Sequence, residues 1–159
     1  MSQLKFRLRL ITLLGVVLFI AAPTRSTQAS DEAAVRDTLV KSTSTHDISE
    51  ATKLWVNDDS LVVFEDGQAY NGWLDYRDHH LIPEMEKARI TWTLTDMKIH
   101  VTGNTAWATF KLAFSADVTM NGQTAQFHGD RLGTAILEKR DGSWRIAHWH
   151  RGQWMRGNG

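Results

Sequence analysis

The chain has 159 residues, no cysteine, and 18 basic against 18 acidic residues. This length suits one domain with a sizeable hydrophobic core, and the lack of cysteine excludes disulfides, thiol chemistry and lipid attachment through a processed cysteine. Residues 1–29 resemble a signal peptide, because basic residues precede an apolar run from Leu10 to Ala22 and Thr27-Gln28-Ala29 offers a cleavage site. The run is shorter than the ~20 residues that span a bilayer. We therefore expect cleavage and a periplasmic or secreted protein.

Removal of this leader changes the charge of the protein. It takes away Lys5, Arg7, Arg9 and Arg25 and no acidic residue, which leaves 14 basic against 18 acidic residues and a net charge of −4. A negative net charge argues against nucleic acid and against an anionic membrane as partners.

Two helices are predicted before the first strand. The first runs from Asp31 to Ser44, with acidic residues at the positive end of its dipole. The second starts at Asp47, which together with Glu50 resembles a capping box. A strand from Leu61 to Phe64 follows, and a turn-rich stretch then leads to a third helix.

The third helix is predicted from about Gly72 to Lys87. Residues that share one of its faces recur at intervals of one turn; they are Trp73, Tyr76, His80 and Glu84. Pro83 lacks a backbone donor and clashes with the preceding turn, so we expect a kink there.

Four long strands complete the chain, the first with a change of face near Asp96. They run from Arg89 to Val101, from Thr105 to Met120, from Gln123 to Lys139 and from Ser143 to about Arg151. Helices followed by antiparallel strands indicate an α+β fold, with helices on one face of a curled sheet.

Turn signals predict the register of the last three strands. Asn121-Gly122 sets Met120 opposite Gln123, and Arg140-Asp141-Gly142 reads as a three-residue loop that pairs Lys139 with Ser143. Counting back from that loop gives three further pairs: Glu138 with Trp144, Ile136 with Ile146, and Thr134 with His148. Because side chains alternate along a strand, this register places Arg131, Trp149 and Arg151 on the face that we assign to the interior.

Two stretches resemble a known family. R-D-G-S-W-R-I-A-H-W-H-R, Arg140 to Arg151, resembles the C-terminal hairpin of SnoaL-like proteins in the nuclear transport factor 2-like superfamily, and also the association domain of calcium/calmodulin-dependent protein kinase II. G-W-L-D-Y-R-D-H-H-L-I-P-E, Gly72 to Glu84, resembles the SnoaL-like group. The resemblance implies that residues 30–159 form a cone-shaped domain, in which a curved antiparallel sheet wraps three N-terminal helices around a pocket.

The superfamily includes ketosteroid isomerases, dehydratases, polyketide cyclases and proteins without known activity. Aligning the isomerase's Asn-Gly-Gln turn with Asn121-Gly122-Gln123 places its acidic oxyanion donor on Arg131 and its base near Phe64, and its tyrosine has no counterpart among Lys41 to Thr45. We therefore do not expect steroid isomerase chemistry.

The interior arginines predict a ligand instead. In the kinase association domain, one pocket arginine ends the H-x-H-R motif, and Arg151 matches that position. A buried guanidinium needs a partner, and its planar fork suits a carboxylate. We expect Arg131 and Arg151 to bind a small acidic molecule, within apolar walls formed by Trp55, Tyr76 and Trp149. The alternative is an internal salt bridge, for example to Glu84 or Asp75.

Histidines offer two further hypotheses. His80, one turn from Tyr76, is the candidate catalytic acid or base; the alternative is a buried, hydrogen-bonded histidine. Four residues on the other face of the sheet could bind zinc: His128, Asp130, His148 and His150. Matching histidines are common in the superfamily hairpin without implying a metal, so we expect no metal and no cofactor.

The outer face of the sheet predicts an interface. Trp107, Ile136 and Ile146 lie side by side in the predicted register, and such a patch on a polar face is typical of an interface. SnoaL-like proteins commonly dimerise through this side, so we expect a homodimer that Ile146→Glu would separate. A non-catalytic dimerisation module is accordingly the alternative to an exported small-molecule-binding protein with acid-base activity, and a metal-dependent enzyme is the third hypothesis.

Overall fold

The computed structural model describes residues 25–120 and 122–153. The helical elements are α1 (Arg25–Ser44), α2 (Ile48–Leu54), α3 (Trp73–Tyr76), a π-helical turn (Arg77–Leu81) and α4 (Ile82–Lys87). The strands are β1 (Val62–Glu65), β2 (Gln68–Asn71), β3 (Ala88–Thr102), β4 (Thr105–Met120), β5 (Gln123–Arg140) and β6 (Ser143–Gln153).

The six strands form one curved sheet in the order β2-β1-β6-β5-β4-β3. All neighbours are antiparallel except β1 and β6, which are parallel. Helix α1 lies against β3 and β6, and its Val35 and Leu39 are fully buried. The predicted α+β fold, with helices on one face of the sheet, is confirmed.

Helix α1 begins at Arg25, several residues before the predicted start. Asp31 fixes it to the sheet, since its Oδ1 accepts hydrogen bonds from Lys139 Nζ at 2.6 Å and from Trp144 Nε1 at 3.1 Å. Residues 1–24 of the predicted leader lie outside the described residues, so cleavage after Ala29 stays a prediction. Within the described residues, no helix combines the length and hydropathy needed to cross a membrane.

The Asp47 cap of α2 is confirmed, but the second half of the predicted capping box is not formed, because the Asp47 N–H donates to Thr45 Oγ1 at 3.2 Å and Glu50 pairs with Lys53. Asp47 Oδ1 accepts hydrogen bonds from the backbone N–H groups of Ser49 at 2.7 Å and Glu50 at 3.4 Å. The helix ends at Leu54, and Trp55 follows in extended conformation and bridges to Ile146 of β6. The cap thus determines where the side chain of Trp55 enters the core.

The third helical segment runs from Trp73 to Lys87 and widens into a π-helical turn just before Pro83. The N–H of Ile82 bonds to the carbonyl of Arg77, one residue farther back than in an α-helix. A wider turn relieves the clash of a proline ring with the preceding turn. The predicted irregularity is therefore present as a π turn.

The turn-rich stretch predicted after β1 contains a second strand, β2, which the sequence analysis did not predict. Asp66 and Gly67, with φ of 47° and 89°, connect β1 to β2 as a tight hairpin. β1 therefore extends one residue beyond the predicted Phe64, and alternation turns Glu65 inward, where it is 4% exposed.

The middle strands agree with prediction. β3 changes register between Thr95 and Lys98, and Asp96 there has a φ of 51°. Met120 pairs with Gln123, as the Asn-Gly turn indicates.

The register of the last hairpin was wrong near its turn. The loop has two residues, Asp141 and Gly142, with φ of 51° and 77°, so Arg140 pairs with Ser143. The four predicted pairs are replaced by Lys139 with Trp144, Leu137 with Ile146, Ile136 with His148, and Thr134 with His150. The shorter loop accounts for the first two of these pairs, and a bulge at Ala147 shifts the last two by one further residue, because it inserts one unpaired residue between Ile146 and His148.

The bulge also reverses the side-chain alternation along β6. Trp144 and Ile146, predicted on the outer face, are buried at 4% and 0% exposure. Trp149 and Arg151, after the bulge, face inward as predicted. Ile146 therefore belongs to the core and cannot belong to an outer interface.

Candidate functional site

A cavity of about 50 Å³ lies between the inner face of the sheet, the end of α1 and helix α4. Its lining includes four of the five predicted ligand-binding residues: Trp55, Tyr76, Trp149 and Arg151. Two carboxylates, Glu65 and Glu84, also line it. The cavity thus combines aromatic walls with a small group of charges.

Arg151 is the central cation of this group. It is 7% exposed, and the parallel pairing of β1 with β6 places it directly beside Glu65. Its Nη2 lies 3.4 Å from Glu65 Oε2, 3.6 Å from Asp66 Oδ2 and 3.7 Å from Glu84 Oε2. Burial lowers the pKa of Arg151, but the charges of Glu65 and Glu84 outweigh burial and raise it. The predicted alternative of an internal salt bridge to Glu84 is therefore present, and Glu65 is a second partner.

His80 is the second cation. Its Nε2 lies 2.5 Å from Glu65 Oε2 and 3.5 Å from Glu84 Oε2. The contact with Glu65 is short, but the N–H direction falls outside hydrogen-bond geometry, so we treat it as an ion pair. Burial would lower the pKa of His80, yet Glu65 and Glu84 outweigh it and raise the pKa to about 9. The imidazole is consequently charged at neutral pH.

The other face of His80 is held by β2. Tyr70 Oη donates to Gln68 Oε1 at 2.5 Å and lies 3.0 Å from His80 Nδ1. Because the only hydroxyl hydrogen of Tyr70 goes to Gln68, the tyrosine oxygen accepts from His80 Nδ1. His80 does not line the cavity itself and reaches it through the two carboxylates. A direct role as acid or base on a ligand stays a prediction, and the geometry favours a positioning role.

Three cavity-lining side chains carry a buried N–H group without an acceptor. These are Trp55 Nε1, Trp149 Nε1 and Arg151 Nε, none of which has a hydrogen-bond partner among the residues that the structure describes. Buried donors are nearly always paired, and an unpaired one marks a strained or functional position. Because all three residues line the same cavity, it is a candidate site for an oxygen acceptor.

The aromatic rings hold these donors in place. The ring centroid of Trp55 lies 5.0 Å from that of Tyr76 and 5.8 Å from that of Trp149. The Arg151 guanidinium lies 4.4 Å from the ring centroid of Trp92, which also lines the cavity. Such stacking fixes the position of a cation and shields it from water.

Arg131, the fifth predicted ligand-binding residue, does not line the cavity. Its Nε bonds to Asp66 Oδ1 at 3.0 Å, and its guanidinium lies 5.0 Å from the ring centroid of Phe114. Asp66 therefore joins Arg131 to Arg151 at the edge of the sheet. The other acid proposed as a partner, Asp75, bonds to His79 Nδ1 at 2.8 Å instead.

The outer-face residues considered for zinc are not brought together. His150 pairs with Thr134, four residues along β5 from Asp130 and roughly 13 Å away at strand spacing. No group of three or more metal-binding side chains occurs in residues 25–120 and 122–153.

Sequence reasoning missed Glu65 and Trp92 as site residues. Glu65 follows Leu61 and Val63 at alternate positions, which would have placed it inside had the strand been extended by one residue. Trp92 likewise lies two residues from both Ile90 and Leu94 along β3, and therefore on the same face as they do. Period-two counting could have found both residues.

Chemically, the residues that line the cavity carry three unpaired N–H donors and two carboxylates. The curved sheet and its helices have the fold of the nuclear transport factor 2-like superfamily, and many solved structures of that superfamily match it.

The comparisons assign the chain more narrowly. The SnoaL-like domain family matches residues 33–153, and the chain belongs to this family. No curated protein matches the sequence.

Three solved structures illustrate the likeness. A nuclear transport factor 2-like superfamily protein from Salmonella enterica serovar Typhimurium is 25% identical, with a TM-score of 0.71 over 86% of this chain and 98% of its own. A Streptomyces avermitilis protein, proposed to be a dehydratase of the nuclear transport factor 2-like family, is 14% identical with a TM-score of 0.70, covering 84% of this chain and all of its own. The association domain of calcium/calmodulin-dependent protein kinase II from C. elegans is 21% identical with a TM-score of 0.55, covering 79% and 95%.

Proposed function

We propose that this chain is an exported protein that binds a small organic acid, whose carboxyl oxygens accept hydrogen bonds from Arg151, Trp55 and Trp149. The observation that carries the proposal is that three residues lining one cavity each carry a buried N–H group without an acceptor among the described residues. Each unpaired buried donor costs about 1–3 kcal/mol. A bound carboxyl group would recover that energy.

The shape of the cavity limits the ligand. Its volume of about 50 Å³ suits a group of only a few heavy atoms beside the donors. The walls of Trp55, Tyr76 and Trp92 favour an apolar remainder next to the carboxyl group. A short aliphatic acid meets both conditions.

The donors can be observed directly in the protein by nuclear magnetic resonance. Titration with propionate should shift the indole N–H signals of Trp55 and Trp149 downfield as they gain an acceptor. Two other tryptophans serve as internal controls: Trp144 already donates to Asp31, and Trp107 lies on the outer face. Shifts confined to Trp55 and Trp149 would support the proposal.

Matched variants test which donors bind. Trp149→Phe and Trp55→Phe keep an aromatic ring but remove the N–H group, so each should weaken propionate binding about 5–10-fold, equivalent to about 1–1.4 kcal/mol. Trp107→Phe makes the same change outside the cavity and should leave the affinity unaltered. Equal affinity in all three variants would exclude these donors and sink the proposal.

A second function, homodimerisation, is supported by an exposed patch on the outer face, the outer patch. Its members are large apolar residues, each 42–48% exposed: Phe64, Trp107, Leu132 and Ile136. Trp107 on β4 pairs directly with Ile136 on β5. The ring centroid of Phe64 lies 5.5 Å from that of His148 on the neighbouring strand. We propose that a second copy of the chain covers this patch, because contiguous apolar surface on a sheet face favours association.

The oligomeric state tests the second proposal. Sedimentation should show a dimer for the wild type and a monomer for Ile136→Glu, with unchanged circular dichroism. Thr93→Glu adds the same charge to an exposed position on β3, away from the outer patch, and should remain dimeric. A monomeric wild type would refute the proposal.

A further inference from the structure

We infer that the acid binds as its carboxylate together with one proton, which Glu84 takes up from water. The inference rests on the proposed function and concerns how the charges of that cavity balance. In the ligand-free site, Glu65 and Glu84 face Arg151 and His80, two negative against two positive charges. An entering carboxylate would be a third negative charge for the same two cations.

The positive charge of His80 follows from the groups that face its two ring nitrogens. Tyr70 gives its only hydroxyl hydrogen to Gln68 Oε1, so its oxygen can only accept from His80 Nδ1. His80 Nε2 faces the carboxylates of Glu65 and Glu84, which accept and cannot donate while ionised. Both ring nitrogens therefore carry hydrogen, and the pKa of about 9 agrees with this.

Among the described residues, Arg151 and His46 are the only basic side chains that line the cavity. Asp66 lies between Arg131 and Arg151 and adds a negative charge to a positive one. Burial raises the pKa of Tyr76 well above its usual value and also raises that of Tyr70, so both phenols remain neutral. His46, at the exposed edge of the cavity, is the remaining titratable group and is addressed by a variant below.

Glu84 is the carboxylate best placed to accept the proton. Its oxygen lies 3.5 Å from His80 and 3.7 Å from Arg151, whereas Glu65 lies 2.5 Å and 3.4 Å from the same two groups. Glu65 is therefore the more closely paired of the two carboxylates. A buried charge without a close partner is costly, and of neighbouring carboxylates the less well paired one becomes protonated.

Proton uptake predicts how affinity depends on pH. At pH 6–8 a free short-chain acid, with a pKa of about 4–5, is ionised. In the ligand-free protein, burial would raise the pKa of Glu84, but His80 and Arg151 outweigh burial and lower it, so Glu84 is ionised as well. Binding then consumes one proton, and the Kd for propionate should rise about tenfold per pH unit. The neutral amide, propionamide, adds no charge and should bind equally at each pH.

The experiment measures Kd for propionate and propionamide at pH 6, 7 and 8 by the indole titration. A roughly hundredfold weaker Kd for propionate at pH 8 than at pH 6, with no change for propionamide, is the expected result. Propionate binding that does not change with pH would overturn the inference while leaving the proposed function intact. Failure of propionate to bind at any of these pH values would instead remove the proposed function.

Variants locate the proton. Glu84→Gln is neutral at every pH, so propionate should bind to it with a pH-independent Kd and more tightly at pH 8 than to the wild type. Glu86→Gln makes the same change at an exposed position of the same helix and should keep the tenfold slope. His46→Gln should also keep it. A slope that persists in Glu84→Gln, or disappears in His46→Gln, would refute the assignment to Glu84.

Discussion

The two halves of β6 differ in what they contribute to the interior. Before the bulge, Trp144 and Ile146 pack into an apolar core. After it, Trp149 and Arg151 line a cavity that contains charges. One unpaired residue, Ala147, lets both halves face the same way. A strand can therefore provide a core and a binding site on one face when a bulge corrects its alternation.

The halves also differ in how they tolerate change. The first half is stabilised by burial of apolar surface, an effect that does not depend on the orientation of particular partner groups. The second half depends on charges that compensate one another, so the effect of removing one charge depends on which others remain.

The largest effect is expected in the first half. Ile146 is fully buried, so Ile146→Glu should place an unpaired carboxylate in the core and destabilise the fold by more than about 4 kcal/mol, with most of the protein unfolded. Urea denaturation followed by circular dichroism measures this. Ile136→Glu, on the exposed outer face, should unfold near the wild-type midpoint. A folded but monomeric Ile146→Glu variant would instead restore the predicted register.

A sequence motif predicts structure well when it is typical of one local conformation. Asp47 is typical of a helix cap, and Asn121-Gly122 is typical of a two-residue hairpin turn, so the start of α2 and the β4–β5 register were predicted correctly. Arg140-Asp141-Gly142 fits either a two-residue or a three-residue loop, and the choice shifts every later pair by one.

The bulge explains why the site was partly right despite the wrong register. The shorter loop and the bulge at Ala147 each shift the pairing by one residue, so beyond the bulge the shift is two residues and Trp149 and Arg151 keep the predicted face. Before the bulge the shift is one residue, which is why Ile146 was assigned to the wrong face. The position of a bulge depends on tertiary packing and has no local signal in this hairpin.

An intermediate effect is expected in the second half. Glu65→Leu should leave Arg151 and His80 without their nearest carboxylate and cost about 3–5 kcal/mol in the free energy of unfolding. Adding Arg151→Met should recover part of that loss, because the unpaired cation is removed too. Urea denaturation of the single and double variants gives both values.

The exposed pair Glu50 and Lys53 provides the control for Glu65. Their side chains are 57% and 67% exposed, so Glu50→Leu should change stability by less than about 0.5 kcal/mol. If the double variant Glu65→Leu/Arg151→Met were less stable than Glu65→Leu alone, the charges would not be coupled as described.

The smallest of these effects is the contribution of His80, which pairs with the carboxylates beside Arg151, to the pH dependence of stability. The folded state raises the pKa of His80 from 6.5 to about 9, so the stabilising charge is fully present below pH 6.5 and is lost as the pH rises through 9. The corresponding loss is on the order of 2–3 kcal/mol between pH 6 and pH 10. His80→Gln should remove this dependence, whereas His79→Gln, 73% exposed on the same helical segment, should retain it. Urea midpoints measured across this range for the three proteins separate a charged His80 from a neutral one, because a neutral histidine would give the wild type and His80→Gln parallel curves.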